Sequence, residues 1–251
     1  MGNIQRLDKL LSDFGYGTRK EVKQFVKNGL VLVDGIRAKD ASMHVDPEKS
    51  VIEVQGEVLQ YRKYIYIMMN KPQDVISATF DNRKRTVIDL LPDKYSCFSL
   101  FPAGRLDIDT EGLVLLTNDG QLAHRLLSPK KHVPKKYYAL VEGDVNDEDV
   151  RKFSEGVILD DGYKTLPAKL DILSKHRNNS GWLSEIELVI HEGKFHQVKR
   201  MFMAVGKKVK YLKRVQMGGL KLDESLKPGQ WRELTEDEIK LLETGIDENK
   251  V

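Results

Sequence analysis

The sequence predicts an α+β protein in two parts. The first 58 residues hold two amphipathic helical patterns followed by short β-type runs, and the remainder interleaves strand-type runs with helical segments in no fixed repeat. At 251 residues, 40% of them hydrophobic and 31% charged, the composition is that of an ordinary globular chain long enough for two domains.

Residues 6–14 place Leu7, Leu10, Leu11 and Phe14 on one helical face, and Gly15 and Gly17 stop the helix. Thr18 and Glu21 form a capping-box pattern that opens a second helix, with Val22, Phe25 and Val26 inward and Asn28-Gly29 as its end. Residues 30–33 and 36–39 flank Asp34-Gly35, a strong hairpin signal, and 51–54 read as a further strand. On the polar side of the second helix Arg19, Lys20, Lys23 and Lys27 recur at helical spacing, opposed only by Glu21. A charged stripe is usually a solvated face, but one so little opposed suits phosphate. Residues 59–63 read as a linker, so that the second domain spans 64–251.

In that second part 64–69 read as a buried strand halted by Asn70-Lys71-Pro72, because proline ends a ladder. Residues 81–86 form a basic loop, 87–92 a helical turn, and the surroundings of Cys97 (95–101) a packed strand. Helices are expected at 121–127, 144–155 and 197–205, and strands at 137–142, 157–159, 168–173 and 182–190, with 174–181 as a polar hairpin loop. Thr235 and Glu238 make another capping box, opening a last helix, and the final few residues read as disordered. Cys97 is the only cysteine, so no internal disulfide can form, which suits a reducing compartment. No apolar run reaches membrane-spanning length and no signal-peptide pattern opens the chain, so a cytoplasmic location is expected.

One stretch organises the chain: Gly104-Arg-Leu-Asp107-Ile-Asp109-Thr-Glu111-Gly112, followed by an apolar strand-like run. A carboxylate placed before a buried run needs a partner or it neutralises. The letters resemble the opening of a calcium loop, but its twelfth position from Asp107 is Asn118 where a glutamate must close it. A magnesium-dependent nuclease site and a plain polar turn both remain open on these residues alone.

Formal charge is only +3 (41 basic against 38 acidic residues), so distribution carries the argument. From Lys194 to Arg214 eight cations occur with no acidic residue among them, interleaved with Phe195, His196, Phe202 and Tyr211. Such a run offers cations to phosphates and flat rings to bases.

These motifs resemble two known families. Arg6-Leu-Asp-Lys-Leu-Leu, Gly15, Thr18-Arg19 and Gly29-x-Val31-x-Val33-Asp34-Gly35 are similar to the S4 RNA-binding domain, over residues 1–58. Gly104-Arg-Leu-Asp107-x-Asp-Thr-Glu-Gly-Leu-x-Leu-Leu-Thr-Asn-Asp-Gly120 resembles the catalytic motif of pseudouridine synthases of the ribosomal small-subunit (RsuA) type. Asn70-Lys71-Pro72, Lys136-x-Tyr138, Ile190-x-Glu-Gly193-Lys-x-His-Gln197-Val-Lys199-Arg-Met201 and Gly218-Gly-Leu220 follow in that family's order.

What the resemblance implies is a mostly antiparallel mixed sheet with flanking helices, and isomerisation of a uridine in ribosomal RNA without metal or organic cofactor. The RNA expected is that of the small subunit, free or in a partly assembled particle, and the enzyme a monomer. The catalytic aspartate falls on Asp107, as nucleophile on the sugar or as base. The aromatic residue falls on Tyr138, stacking on the target base, with Tyr137 in the core. The basic residue falls on Lys199, where many relatives have arginine, and keeps Asp107 charged. Arg105 would steady the extruded nucleotide. Arg6, Arg19, Lys20, Lys23, Lys27, His196, Gln197 and Arg200 would contact RNA. A non-catalytic S4 protein that grips ribosomal RNA is the alternative, distinguished only by Asp107 with its two partners.

Overall fold

The structure, a computed structural model, describes residues 4–179 and 181–244; the final residues, expected to be disordered, lie outside this range. The chain divides into two compact units, one made of residues up to Ile65 together with Leu91–Leu100, the other of Tyr66–Leu90 and the chain from Phe101 onward.

The first unit begins with strand β1 (Gln5–Arg6) and helices α1 (Leu7–Asp13) and α2 (Arg19–Lys27). At the start of α2 Thr18 and Glu21 form the reciprocal capping box expected of them. Strands β2 (Val31–Val33), β3 (Ile36–Arg37), β4 (His44–Val45), β5 (Ile52–Val54) and β6 (Glu57–Val58) follow. A four-stranded sheet runs β3-β2-β5-β6, with Asp34-Gly35 at the β2–β3 turn, and β1 pairs with β4. Leu7, Leu10, Leu11, Val22, Val26, Val31, Ile52 and Val54 form its core. The surroundings of Cys97 are not a strand: Asp93–Phe98 is a 3₁₀ helix that sets Phe98 edge-on to Phe14, ring centroids 5.3 Å apart. Alternating rings misled the period, because Tyr95 and Phe98 meet at a spacing of three. Burial raises the Cys97 thiol above its ordinary range, as suits a structural residue.

The second unit carries β7 (Tyr66–Lys71), β8 (Phe101–Ala103), β9 (Glu111–Thr117), α3 (Gly120–Leu127), β10 (Lys135–Glu142), α4 (Asp147–Glu155), β11 (Lys169–Asn178), β12 (Gly181–Ile190), α5 (Gln197–Ala204), β13 (Lys208–Met217), β14 (Leu220–Lys221), β15 (Trp231–Glu233) and α6 (Glu236–Thr244). The sheet order is β11-β12-β10-β13-β9-β7-β15, with β14 beside β13 and β8 beside β9. Every pairing is antiparallel except β13–β9, where Lys213 lies opposite Glu111 and Arg214 opposite Gly112. The expected α+β class with a mixed sheet is therefore what the chain adopts. Met68, Leu113, Leu115, Leu122, Leu126, Met217 and Leu242 pack together in a cluster that includes both strands of that seam. Elsewhere in the sheet Ala139, Val141, Ile186 and Leu188 are buried, and Phe153 of α4 meets Phe202 of α5 at 4.9 Å.

Two local expectations differ. Residues 174–178 continue β11 instead of forming a loop, because Lys175 and Arg177 lie over the Trp182 ring and Lys175 pairs with Asp144. Residues 157–159 make only an isolated bridge, Ile158 to Lys164. Among the described residues no helix is long and apolar enough to cross a membrane.

Candidate functional site

Asp107 sits on the loop between β8 and β9, and that loop is held from below. Lys71, fully buried at the end of β7, donates from Nζ to the carbonyl oxygens of Pro72 (2.9 Å), Ile108 (3.2 Å) and Thr110 (2.9 Å). The Asp74 N–H donates to the Ile108 carbonyl and the Leu106 N–H to the Ser77 hydroxyl. The Thr110 N–H closes the turn on the Asp107 carbonyl at 3.0 Å. With its backbone fixed, the Asp107 side chain points to a small pocket of ≈80 Å³ whose wall includes Arg105, Thr110, Tyr137, His196 and Leu212.

Helix α5 supplies the opposing charge. Lys199 Nζ lies 3.0 Å from one oxygen of Asp107 and 2.5 Å from Asp109, so one ammonium holds two carboxylates. Burial opposes the charges on Lys199 and Asp109, but their hydrogen bond and mutual attraction win: Lys199 is raised and Asp109 lowered from their ordinary values. His196 approaches the other Asp107 oxygen at 3.6 Å. The expected pairing of positions 107 and 199 is thus present in the geometry, with Asp109 as a third member that the sequence reading did not include.

The expected aromatic partner needs correction. Along β10 burial alternates, with Lys135, Tyr137, Ala139 and Val141 inward. Tyr137, not Tyr138, faces the Asp107 pocket. Tyr138 lies on the other face of the strand, edge-on to Tyr211 at 6.2 Å, in a separate groove with Lys136, Glu187 and Lys213. The cause is the two-residue period of a strand: a shift of one position moves a side chain to the opposite face.

The expected RNA contacts divide. Arg105 is exposed at the pocket, and Arg19, Lys20, Lys23 and Lys27 are exposed on α2 and form no ion pair among the described residues. Arg6 is instead committed to Asp8 through two hydrogen bonds of 3.0 and 2.7 Å. Arg200 is held by Asp160 and Asp161, the latter at 2.7 Å. Gln197 is buried and structural: its amide donates to Glu192 at 2.9 Å and accepts from the Lys194 N–H at 2.8 Å. The cation run from Lys194 to Arg214 also finds counter-charges, since Lys207 pairs with Asp149 at 2.8 Å and Lys210 with Glu142 at 3.1 Å. Those acids come from distant positions, and with them four of the eight cations of the run, Lys199, Arg200, Lys207 and Lys210, are compensated. Among the described residues no group of three or more His, Cys, Asp or Glu side chains is placed to hold a metal ion.

Comparison with known proteins adds to this geometry. The sequence profile described as RNA pseudouridylate synthase matches residues 65–204, and that of the S4 domain matches residues 5–51. The chain belongs to the RNA pseudouridylate synthase family. It is 56% identical to an uncharacterized RNA pseudouridine synthase of Bacillus subtilis, over 94% of this chain and 98% of that protein. It is 41% identical to the ribosomal small subunit pseudouridine synthase A of Vibrio cholerae, over 93% and 97% respectively. A crystal structure of a pseudouridylate synthase superposes with a TM-score of 0.65 at 36% identity, covering 95% of this chain and 99% of that one.

Two buried lysines of this synthase make a test of the site's packing. Burial pushes Lys71 down to about 8, and burial together with the charge of Arg214 pushes Lys135 down to about 8. Below that pH both folded and unfolded chains carry the protons, and the desolvation cost is present in full. Between about 8 and the ordinary 10.5 the unfolded chain binds more protons, so stability rises with pH. The urea midpoint is expected to be higher at pH 9 than at pH 7.5; an unchanged or lower midpoint rejects the assignment.

Proposed function

We propose that this enzyme converts a uridine of small-subunit (16S) ribosomal RNA to pseudouridine at the Asp107 pocket. The observation that carries the reading is one carboxylate on a pinned loop, 3.0 Å from the Lys199 ammonium, sharing a pocket wall with Tyr137. The reaction is an internal rearrangement. The N1–C1′ bond breaks, the base turns, C5 bonds to C1′, and the C5 proton is lost while N1 gains one, so the atoms balance without a co-reactant.

In this reading Asp107 acts first, as nucleophile at C1′ or as base on the sugar. Lys199 holds it in place at 3.0 Å, and Asp109 holds the ammonium from its other side. Tyr137 takes the role first assigned to Tyr138, lying against the extruded base and assisting movement of the C5 proton. Arg105 stands at the mouth, where a phosphate of the displaced nucleotide would pass. The exposed cations of α2 give the S4 domain a salt-sensitive grip on RNA. The choice of small-subunit RNA follows the name of the Vibrio cholerae relative, a ribosomal small subunit pseudouridine synthase, and a cytoplasmic monomer is the form in which we expect the enzyme to act.

The test is to map pseudouridine in ribosomal RNA from cells lacking the protein, then restore wild-type or variant chains. One 16S position should lose its pseudouridine and regain it with the wild type. Tyr137→Phe should turn over that site roughly 10²-fold or more slowly, in the range a lost proton-transfer group produces, whereas Tyr138→Phe should restore it normally. The reverse ranking of the two tyrosines would return the role to Tyr138, and no change in 16S RNA would overturn the substrate.

A further inference from the structure

Phe195 is 72% exposed, an unusual position for a phenylalanine, and its ring lies on the His196 imidazole with centroids 3.8 Å apart and planes within 20°. His196 reaches to 3.6 Å from Asp107 and lines the pocket, while Phe195 stands one ring farther out and is not part of its wall. The support beneath this pair is rigid. The Gln197 N–H closes on the Lys194 carbonyl at 3.2 Å, and buried Gln197 is tied to Glu192. The His196 backbone is left-handed at φ 48°, a conformation a non-glycine residue keeps only where its surroundings impose it. Its side chain does not cap α5, although it occupies the N-cap position. The turn therefore holds two stacked rings beside the site, the outer one in water.

A base drawn out of an RNA helix leaves its neighbour without a stacking partner, at a cost of a few kcal/mol. A flat aromatic face replaces that partner for any base, since every base has a π-face. The 3.8 Å step between the two rings is close to the ~3.4 Å rise of stacked nucleotides. We propose that the Phe195 ring, backed by His196, stacks on the nucleobase adjacent to the extruded uridine and so substitutes for the stacking lost on extrusion. The proposal rests on the reading of Asp107 as the centre that receives the uridine.

The test uses the full chain and an RNA oligonucleotide spanning the uridine mapped in 16S RNA, with 2-aminopurine placed in turn on either side of it. With wild-type protein, one flanking position should show quenched fluorescence. Phe195→Ala should lose that quench and raise KM between about five- and a hundredfold, as loss of one base–aromatic stack does, with a smaller effect on kcat. Because the ring is exposed, melting should be unaffected. Phe195→Leu, which keeps apolar bulk without a flat face, should behave like the alanine variant, and Phe195→Trp should restore both KM and quench. Equal KM and quench in Phe195→Ala and wild type, or full rescue by leucine, would overturn the stacking role. Failure of the underlying reading shows separately, as wild-type protein that forms no pseudouridine, and that outcome overturns both.

Discussion

Asp107→Asn is expected to reduce pseudouridine formation to less than ~10⁻³ of wild type while leaving RNA binding within about twofold, the pattern of a group needed only for the chemistry. Asparagine has the same shape but is neither a nucleophile at carbon nor a base at neutral pH. The fold should tolerate the change, because the Asp107 side chain is only partly covered and Lys199 keeps its 2.5 Å contact with Asp109. No buried ammonium is stranded, so the usual penalty for breaking one side of an ion pair is avoided. Nucleoside analysis of digested RNA reads the product, and filter binding reads affinity. Residual turnover above a tenth of wild type would remove Asp107 from the reaction. Equal losses of binding and turnover would make it a binding residue only.

How much of this site could be read in advance depended on the range of each interaction. The loop at 104–112 and the α5 lysine were legible because their motifs are local and their order along the chain is distinctive. The tyrosine was not, because Lys135-Lys136-Tyr137-Tyr138 allows the same lysine–x–tyrosine spacing in two registers one residue apart. A signal was present nonetheless: Ala139 and Val141 share a strand face with Tyr137, and it is on this apolar face that the Asp107 pocket opens. Counter-charges for Lys199, Arg200 and Lys207 come from 90, 40 and 58 positions away, beyond any local count of charge. Lys71 reads in the sequence as the stop of a strand and as part of the Asn70-Lys71-Pro72 motif, and neither reading gives it a role under the loop. Its burial under the Asp107 loop could have been suspected from a lysine that ends a strand pattern apolar up to Met69, with no acid beside it. In the N-terminal unit the reading went further, since capping boxes and Asp-Gly turns act over three or four residues and the structure forms them as written.

Gly112→Ala is expected to be the most damaging single substitution away from the chemistry. Gly112 has φ +105°, and a Cβ there would lie 2.2 Å from the Arg214 carbonyl oxygen and 2.7 Å from its nitrogen. Both are backbone atoms and cannot swing aside. The contact belongs to the two-residue parallel seam between β9 and β13, where Arg214 Nε also donates to the Leu113 carbonyl at 2.8 Å. Strain from the positive φ, about 1–3 kcal/mol, adds to overpacking of about 1–3 kcal/mol, against a total stability of about 5–15 kcal/mol. A fall of roughly 4 °C or more in the melting temperature of the sheet unit should follow. Gly120→Ala is the control, because nothing lies within 4 Å of its Cβ position and it begins a helix; it should melt within ~2 °C of wild type or slightly higher. A Gly112→Ala protein that also melts within ~2 °C of wild type would show that β9 and β13 can move apart without cost. If they can, the seam does not fix the loop that carries Asp107, whose strand β9 starts at the residue before Gly112, and the bonds from Lys71, Asp74 and Ser77 must hold that loop in place.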